Sequence, residues 1–532
     1  MAGVSMGAHL LKRKVLKHSE FMLVDQQEDY GGVWKQNKYP GIACDVPSHG
    51  YVMRYFLKPD WSMKYAPGSE IQGYYADIAK YYGLEKNTKF KTKVIEARWN
   101  EDTYLWEVLL EDLATGKRTT WTANSVVHSG GQFSRPKWAN IPGRESFKGT
   151  QWHTAEWRDD YDLTGKRVAI IGTGPSTGQV APRIAPIVKQ LNIYQRSATY
   201  VVPRGDGPIP KWKQKLFSWF RPLLWLYHVW WYASFESSKP MWLSGTKRHA
   251  KAQAFALQNL ESQVKDPITR EKLRPRNEFG CKRILVLDDW YPIFNRPNVE
   301  LITDKPIRIT EHGIISKPPD QLPGEELAGQ PVGSYDLRNE DPNAKEQERE
   351  IDVLLWGTGF EMADQGGHFQ VYGVGGINLA EEWGDSPKCY YSVAVTKFPN
   401  FMLTLGPNAA NFWSNITTLV EIQCNYNCKL IKQIKQKNQK NAYALYVDPQ
   451  VQKDYNAWIK RLMGGIAILS PNCSNYYTNS KGEATYWSPF HGYYYAWLMR
   501  WPRMKDFVQL QKPRSAINGV AKKTSTATAT AV

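Results

Sequence analysis

Residues 167–178 hold the most informative arrangement of chemical groups in the chain. Arg167-Val168-Ala169-Ile170-Ile171 is an apolar run that reads as a buried parallel strand, and it leads into Gly172-Thr173-Gly174-Pro175-Ser176-Thr177-Gly178 and then helix-compatible sequence from Gln179. Glycines at such a turn let backbone amides and a helix N-terminus approach a pyrophosphate. A G-x-G pair alone is weak evidence. Its place between strand and helix, followed by a second strand from Asn192 to Arg196, predicts a dinucleotide-binding unit in which Gly172, Thr173, Gly174, Ser176 and Thr177 face the cofactor. Arg196 ends that second strand, where an acid would receive a ribose hydroxyl. A cation there accommodates a 2′-phosphate, so NADPH is favoured over NADH. A solvated surface arginine is the plain alternative, and the position favours function over it.

A less complete unit precedes it. Ser5 to Lys14 is helix-compatible, and Phe21-Met22-Leu23-Val24 reads as a short strand ending at Asp25, the place of a ribose-binding acid. Gly3 stands where a loop's second glycine belongs and Gly7 near the third, while Met1 stands where the first glycine is expected and no strand comes before it. The expectation is a chain that starts part-way through its own phosphate loop.

Several elements must position these groups. A length of 532 residues exceeds what one hydrophobic core serves, so two or three domains are expected. The fold class expected is α/β, with two interleaved Rossmann-like dinucleotide-binding domains and a helical insert. The boundaries read as 1–141 and 366–513 for the first domain, 142–205 and 281–365 for the second, 206–280 for the insert and 514–532 for a disordered, low-complexity tail. Ile351 to Trp356 and Cys281 to Leu285 have strand character, Leu419 to Gln436 is helix-like, and Pro318 to Glu348 reads as a long loop rich in Pro, Gly and acids.

A net charge of +17 points to anionic partners, and phosphate-bearing dinucleotides rank ahead of an acidic membrane surface, with nucleic acid a distant third because no nucleic-acid module is present. The six cysteines lack paired C-x-x-C spacing, which argues against a metal site or a disulfide framework and fits a reducing, cytoplasmic compartment. Pro222 to Phe235 is the most apolar stretch, preceded by Lys211, Lys213, Lys215 and Arg221. It reads either as an interfacial segment peripheral to a membrane or as a buried helix over a substrate pocket.

Two longer patterns carry a family resemblance. Phe147-Lys148-Gly149-Thr150-Gln151-Trp152-His153-Thr154-Ala155-Glu156-Trp157 resembles the F-x-G-x-x-x-H-x-x-x-W fingerprint of Baeyer–Villiger monooxygenases, and it sits just before the second glycine loop, as in that family. Gly31-Gly32-Val33-Trp34-Lys35-Gln36-Asn37-Lys38-Tyr39-Pro40-Gly41-Ile42-Ala43-Cys44-Asp45 resembles the family's second signature at every fixed position. The resemblance spans about Gly3 to Phe507 and implies FAD and NADPH as cofactors. It further implies a flavin peroxide that inserts oxygen beside the carbonyl of a small-molecule ketone to give an ester or lactone.

By the same resemblance Gly3, Asp25, Gly32, Val33, Trp34, Tyr39 and Asp45 serve the flavin nucleotide, and His153 and Trp157 couple nicotinamide position to the flavin without acting as acid or base. Lys282 joins Arg196 on the NADPH phosphate. Arg283, oriented by Asp45, stabilises the oxygenating anion. Three positions depart from the family pattern. Thr177 replaces a small residue, with Gly178 one place late and looser packing of the helix against NADPH expected; Gly357 replaces Ala in Gly357-Thr358-Gly359; and Tyr476 replaces a Trp near nicotinamide and substrate. The insert and Tyr476 suit a bulky polycyclic or terpenoid ketone of secondary metabolism. The alternatives are an N- or S-oxygenating flavin monooxygenase, which generally lacks the Tyr39 to Asp45 signature, and a catalytically dead NADPH-binding homologue. Because of the incomplete first loop, the chain is expected to purify with little FAD.

Overall fold

The structure, a computed structural model, describes residues 1–317, 345–361, 368–470, 473, 475, 477–479 and 481–513. Tyr476, most of the acid-rich loop and the tail from Arg514 lie outside the described residues. The fold is α/β, with two interleaved Rossmann-like units and a helical insert.

The apolar run at 167–171 becomes the centre of a five-stranded parallel sheet, because Val168 to Ile171 are buried and can accept neighbours on both sides. Its order is Val299–Ile302, Gln190–Tyr194, Arg167–Ile171, Val353–Trp356 and Thr150–His153, with Val353 in register with both Val168 and Thr150. The sheet thus gathers strands from three separate stretches of chain. Val180 and Ile184 of the Pro175–Ile184 helix pack on it beside Leu285 and Leu287, which follow the insert. The insert itself is helical, with Lys211–Trp219, Arg221–Ser237, Lys247–Gln263 and Pro267–Lys272.

The other unit is built from both ends of the chain. Leu23–Val24 pairs in parallel with Thr88–Lys89, and Val126–His128 pairs in parallel with Phe401–Leu403. A meander of Thr92–Asn100, Leu105–Asp112 and Arg118–Ala123 carries Gln370–Tyr372 along its edge. The Ala2–Lys12 helix is buried almost throughout to Leu10, and its core includes Tyr74 and Ile78 from one side and Val420, Cys424 and Ile431 of the Ile416–Lys437 helix from the other.

Four expectations need correction. The first helix begins at Ala2, not Ser5, so Gly3 lies in its first turn and not in a loop. The second helix begins at Pro175, not Gln179, because proline at the first helical position has no amide to leave unpaired. Gln347 and Glu348, expected to end a loop, instead begin the strand Gln347–Glu350, which pairs antiparallel with Gly313–Lys317. Cys281 and Cys473 form a disulfide with Cα atoms 5.5 Å apart across 192 residues, against the expectation from local spacing. The fold brings them together, which sequence spacing does not reveal.

His9, His49 and His153 are buried, and desolvation pushes each imidazole down to about 4 from an ordinary 6.5. Above pH 6.5 both folded and unfolded states hold them neutral. As pH falls below that value the unfolded chain takes up protons that the folded chain refuses, so stability drops until about pH 4. Each group costs up to about 1.4 kcal/mol per pH unit in this window. Denaturant unfolding at about pH 7 and about pH 5 should show a clear loss of stability at the lower pH; an unchanged midpoint would contradict these neutral, buried states.

Candidate functional site

The second glycine loop is shaped by two close approaches. Gly172 has φ +103°, and a Cβ there would stand 2.4 Å from the Gly357 carbonyl oxygen, so the crossing of adjacent strand ends requires glycine. Gly174 caps the Pro175–Ile184 helix in extended conformation, and a Cβ there would meet no atom within 4 Å. Thr173 and Ser176 are half-buried beside it, while Thr177 is fully buried. The backbone at Gly174 therefore faces open space beside a helix N-terminus, as an anionic pyrophosphate requires.

Cations gather at the neighbouring strand tip. Arg196 is exposed just beyond Gln190–Tyr194, and Lys282, from 85 residues later, bonds through Nζ to Ser197 Oγ. The Cys281–Cys473 disulfide holds the residue before Lys282.

On the other unit, Asp25 follows the Leu23–Val24 strand and accepts a bond from the Gln27 amide at 2.9 Å; burial pushes its carboxyl up. Gly3 sits near Ser129, beyond the tip of Val126–His128, with 3.9 Å between its ideal Cβ position and that of Ser129. Gly31 and Gly32 take positive φ, +127° and +57°, and turn the chain into the short Val33–Gln36 helix. A Cβ on Gly31 would strike Gln72, whereas one on Gly32 would meet nothing within 4 Å. Beside that opening Trp34, partly buried, donates from Nε1 to the Tyr51 hydroxyl at 3.3 Å. Gly32 and Gly174 are thus open where Gly31 and Gly172 are sealed by protein, a pattern that fits two dinucleotides.

The two units are joined at residues 39–45. Tyr39 is buried and donates to Gln179 Oε1 at 3.1 Å; the Ala43 amide donates to the same oxygen, and Gln179 Nε2 donates to the Ala43 carbonyl at 2.9 Å. Gly41, at φ +84°, lies so near the Gln179 carbonyl oxygen that a Cβ would come within 2.7 Å. Tyr-Pro-Gly is therefore a seam against the helix of the second unit. Beyond the seam Arg204 donates to the Cys44 carbonyl at 2.8 Å, and Asp45 accepts a bond from Arg283 Nη2 at 2.6 Å, with both side chains about 30% exposed. A fixed guanidinium thus projects where the two units meet.

Comparison with known proteins agrees with this geometry. Residues 2–221 match the family model described as flavin-binding monooxygenase-like. The chain is 36% identical over 519 residues to the FAD-binding monooxygenase BOA2 of Botryotinia fuckeliana, covering 96% of this chain and 93% of that one. It is 30% identical to a Baeyer–Villiger monooxygenase of Pseudomonas aeruginosa over 88% of this chain and 83% of the relative. This chain belongs to the Baeyer–Villiger-type flavin-binding monooxygenases. Solved structures share the fold: cyclohexanone monooxygenase from Rhodococcus sp. Phi1 bound to NADP+ matches with TM-score 0.78 at 21% identity, over 96% of this chain and 97% of that one. Oxidized steroid monooxygenase bound to NADP matches with TM-score 0.76 at 24% identity, over 96% and 97%.

Within this Baeyer–Villiger framework the fingerprint residues have plain structural places. His153 ends the edge strand Thr150–His153, fully buried, and its Nδ1 accepts the Ala155 amide at 3.0 Å, so the proton rests on Nε2. Desolvation holds the ring neutral, against a weaker pull from the Gly359 backbone. Trp157 packs edge-on against Trp152 at 5.6 Å. Gln179 and Arg204 were not singled out from sequence; a polar residue on the buried face of the loop helix was the available signal for Gln179.

The departures at Thr177 and Gly357 turn out to be one feature. A Cβ on Gly357 would lie 2.1 Å from the Thr177 hydroxyl, so Gly357 leaves the room that Thr177 occupies. Gly178 faces the core, where a Cβ would reach 2.6 Å from Leu287. Gly357→Ala should therefore destabilise the fold by about 1–3 kcal/mol, as overpacking does, and Thr177→Ala should recover most of that loss in the double variant. Additive losses in denaturant unfolding would disprove the coupling.

Proposed function

We propose that this chain inserts one oxygen atom beside the carbonyl of a bulky ketone, giving an ester or lactone, with FAD and NADPH as cofactors and molecular oxygen as co-substrate. The observation that carries this reading is the Arg283–Asp45 bond at the meeting of the two dinucleotide units. When bound and reduced by NADPH, FAD supplies the activated oxygen. The residues of the chain provide binding, orientation and charge. Gly32 and Asp25 would hold the flavin nucleotide, Gly174 and the following helix the NADPH pyrophosphate, and Arg196 with Lys282 its 2′-phosphate. Val33, Trp34 and the Tyr39 seam would set the flavin ring against the second unit.

Arg283 is proposed to move no proton. Its role is to present preorganised N–H donors to the negative charge that develops on the ketone oxygen as the carbon is attacked, and Asp45 keeps the guanidinium plane from turning away. Support for a bulky, flat substrate comes from an aromatic stack beside the Gly280 to Arg283 turn: Trp242 lies on Phe412 at 4.2 Å and Phe412 on Trp487 at 3.9 Å. Gly280 admits the Trp242 ring at close range, a Cβ there standing 3.0 Å from Cε3. Tyr476 is proposed to face the same substrate.

The test is product analysis with polycyclic and simple cyclic ketones alongside amines and thioethers. Ester or lactone from the polycyclic ketones is expected, and conversion confined to amines and thioethers would replace this reading with heteroatom oxygenation. Arg196→Ala should raise the KM for NADPH by roughly tenfold or more, because a charge-assisted bond to phosphate is lost. The KM for NADH should hardly move; equal changes for both cofactors would remove Arg196 from the phosphate site.

A further inference from the structure

The helical pair Lys211–Trp219 and Arg221–Ser237 is anchored on one face and bare on the other. On the inner face Phe217 stacks on Tyr227 at 5.3 Å, and His228 Nδ1 bonds to the His49 carbonyl at 3.0 Å. At its far end Glu236 is buried and accepts bonds from Ser414 Oγ and the Gly492 amide. The pair is therefore fixed in place. Its outer face nevertheless shows Trp212, Trp219, Phe220, Trp225, Leu226 and Trp230 to solvent, with Trp219 82% exposed and Trp212 66%. Positions 222, 225, 226 and 230 recur at helical spacing, so this is one apolar stripe and not scattered exposure.

The same face is cationic. Lys211, Lys215 and Arg221 are exposed among the tryptophans, and no Asp or Glu occurs from Gly207 to Phe235. Indole rings interleaved with cations on a fixed surface match the boundary of an anionic bilayer, where rings enter the headgroup region and cations meet phosphates. A second copy of the chain fits poorly, because it would bring the same cations face to face on a molecule of net charge +17. Spanning is also excluded for this pair: the 17-residue helix extends about 25 Å, less than the roughly 30 Å hydrocarbon core, and no described helix is long and apolar enough to cross.

We infer that this face seats the protein on an anionic lipid surface, with both helices lying in the interface. The experiment is co-sedimentation of the full chain with phosphatidylcholine vesicles and with vesicles also containing phosphatidylserine, with light scattering of the protein alone as a check on self-association. The parent should pellet with the phosphatidylserine vesicles and be partly released by salt. The variant Trp219→Ser/Phe220→Ser/Trp225→Ser should lose binding to both vesicle types while melting like the parent. The variant Lys211→Gln/Lys215→Gln/Arg221→Gln should lose the preference for phosphatidylserine, at roughly fivefold in partitioning for each cation removed. A parent that does not pellet overturns the inference, as does an apolar variant that binds undiminished. A parent dimer that the apolar variant converts to monomer, without vesicle binding, would assign the face to a second copy.

Discussion

A single arginine–carboxylate bond between residues 238 positions apart, Arg283 to Asp45, sits where the two dinucleotide units of this protein meet. The surrounding architecture can be understood as what makes that bond possible. Asp45 is delivered by the Tyr39 to Ala43 seam, which Gln179 stitches to the helix of the second unit. Arg283 is delivered from the opposite direction, after the helical insert, with its own carbonyl accepting a bond from Thr199 Oγ1 at 2.9 Å and the Cys281–Cys473 disulfide two residues before it. A partly exposed ion pair of this kind adds at most about 1 kcal/mol to stability. Holding one donor array in place for a developing negative charge is worth about 3–4 kcal/mol to a reaction. In the role proposed for Arg283, the bond matters for orientation far more than for folding.

Much of the architecture was legible in the sequence, for identifiable reasons. The run at 167–171 is apolar without alternation, and that pattern places a strand buried on both faces at the centre of a parallel sheet; one face meets the Pro175–Ile184 helix and the other meets Ile309 and Ile314 of an antiparallel pair of strands. The glycine pairs were legible because closely approaching backbone tolerates no side chain, and Gly172 against Gly357 shows that constraint directly. The resemblance in residues 31–45 and 147–157 named the family, and it also put Asp45 beside Arg283.

What the sequence hid depended on contacts between distant segments. Thr177 and Gly357 looked like two unrelated departures and are one packing solution, visible only when the strand end and the helix face each other. Cys281 and Cys473 have no local spacing that pairs them, yet the fold puts their Cα atoms 5.5 Å apart. The apolar stretch at 222–235 could not be assigned to core or surface from composition, because a helix with Leu224 and His228 inward and Trp225 and Trp230 outward is aromatic on both faces. Helix starts at Ala2 and Pro175 were each displaced by a few residues, since the first turn carries little periodicity.

The account rests on Arg283 acting on the oxygen-insertion step and not on cofactor binding. The most direct measurement is ester or lactone formed per NADPH consumed by Arg283→Ala, with Arg283→Lys and Asp45→Asn beside it. The account predicts that NADPH oxidation continues while ester formation falls by on the order of a hundredfold or more. It also predicts that Arg283→Lys recovers little, because an ammonium lacks the planar fork that Asp45 holds, and that Asp45→Asn lowers the same ratio to a lesser degree. Parental coupling of NADPH to ester in Arg283→Ala would contradict it.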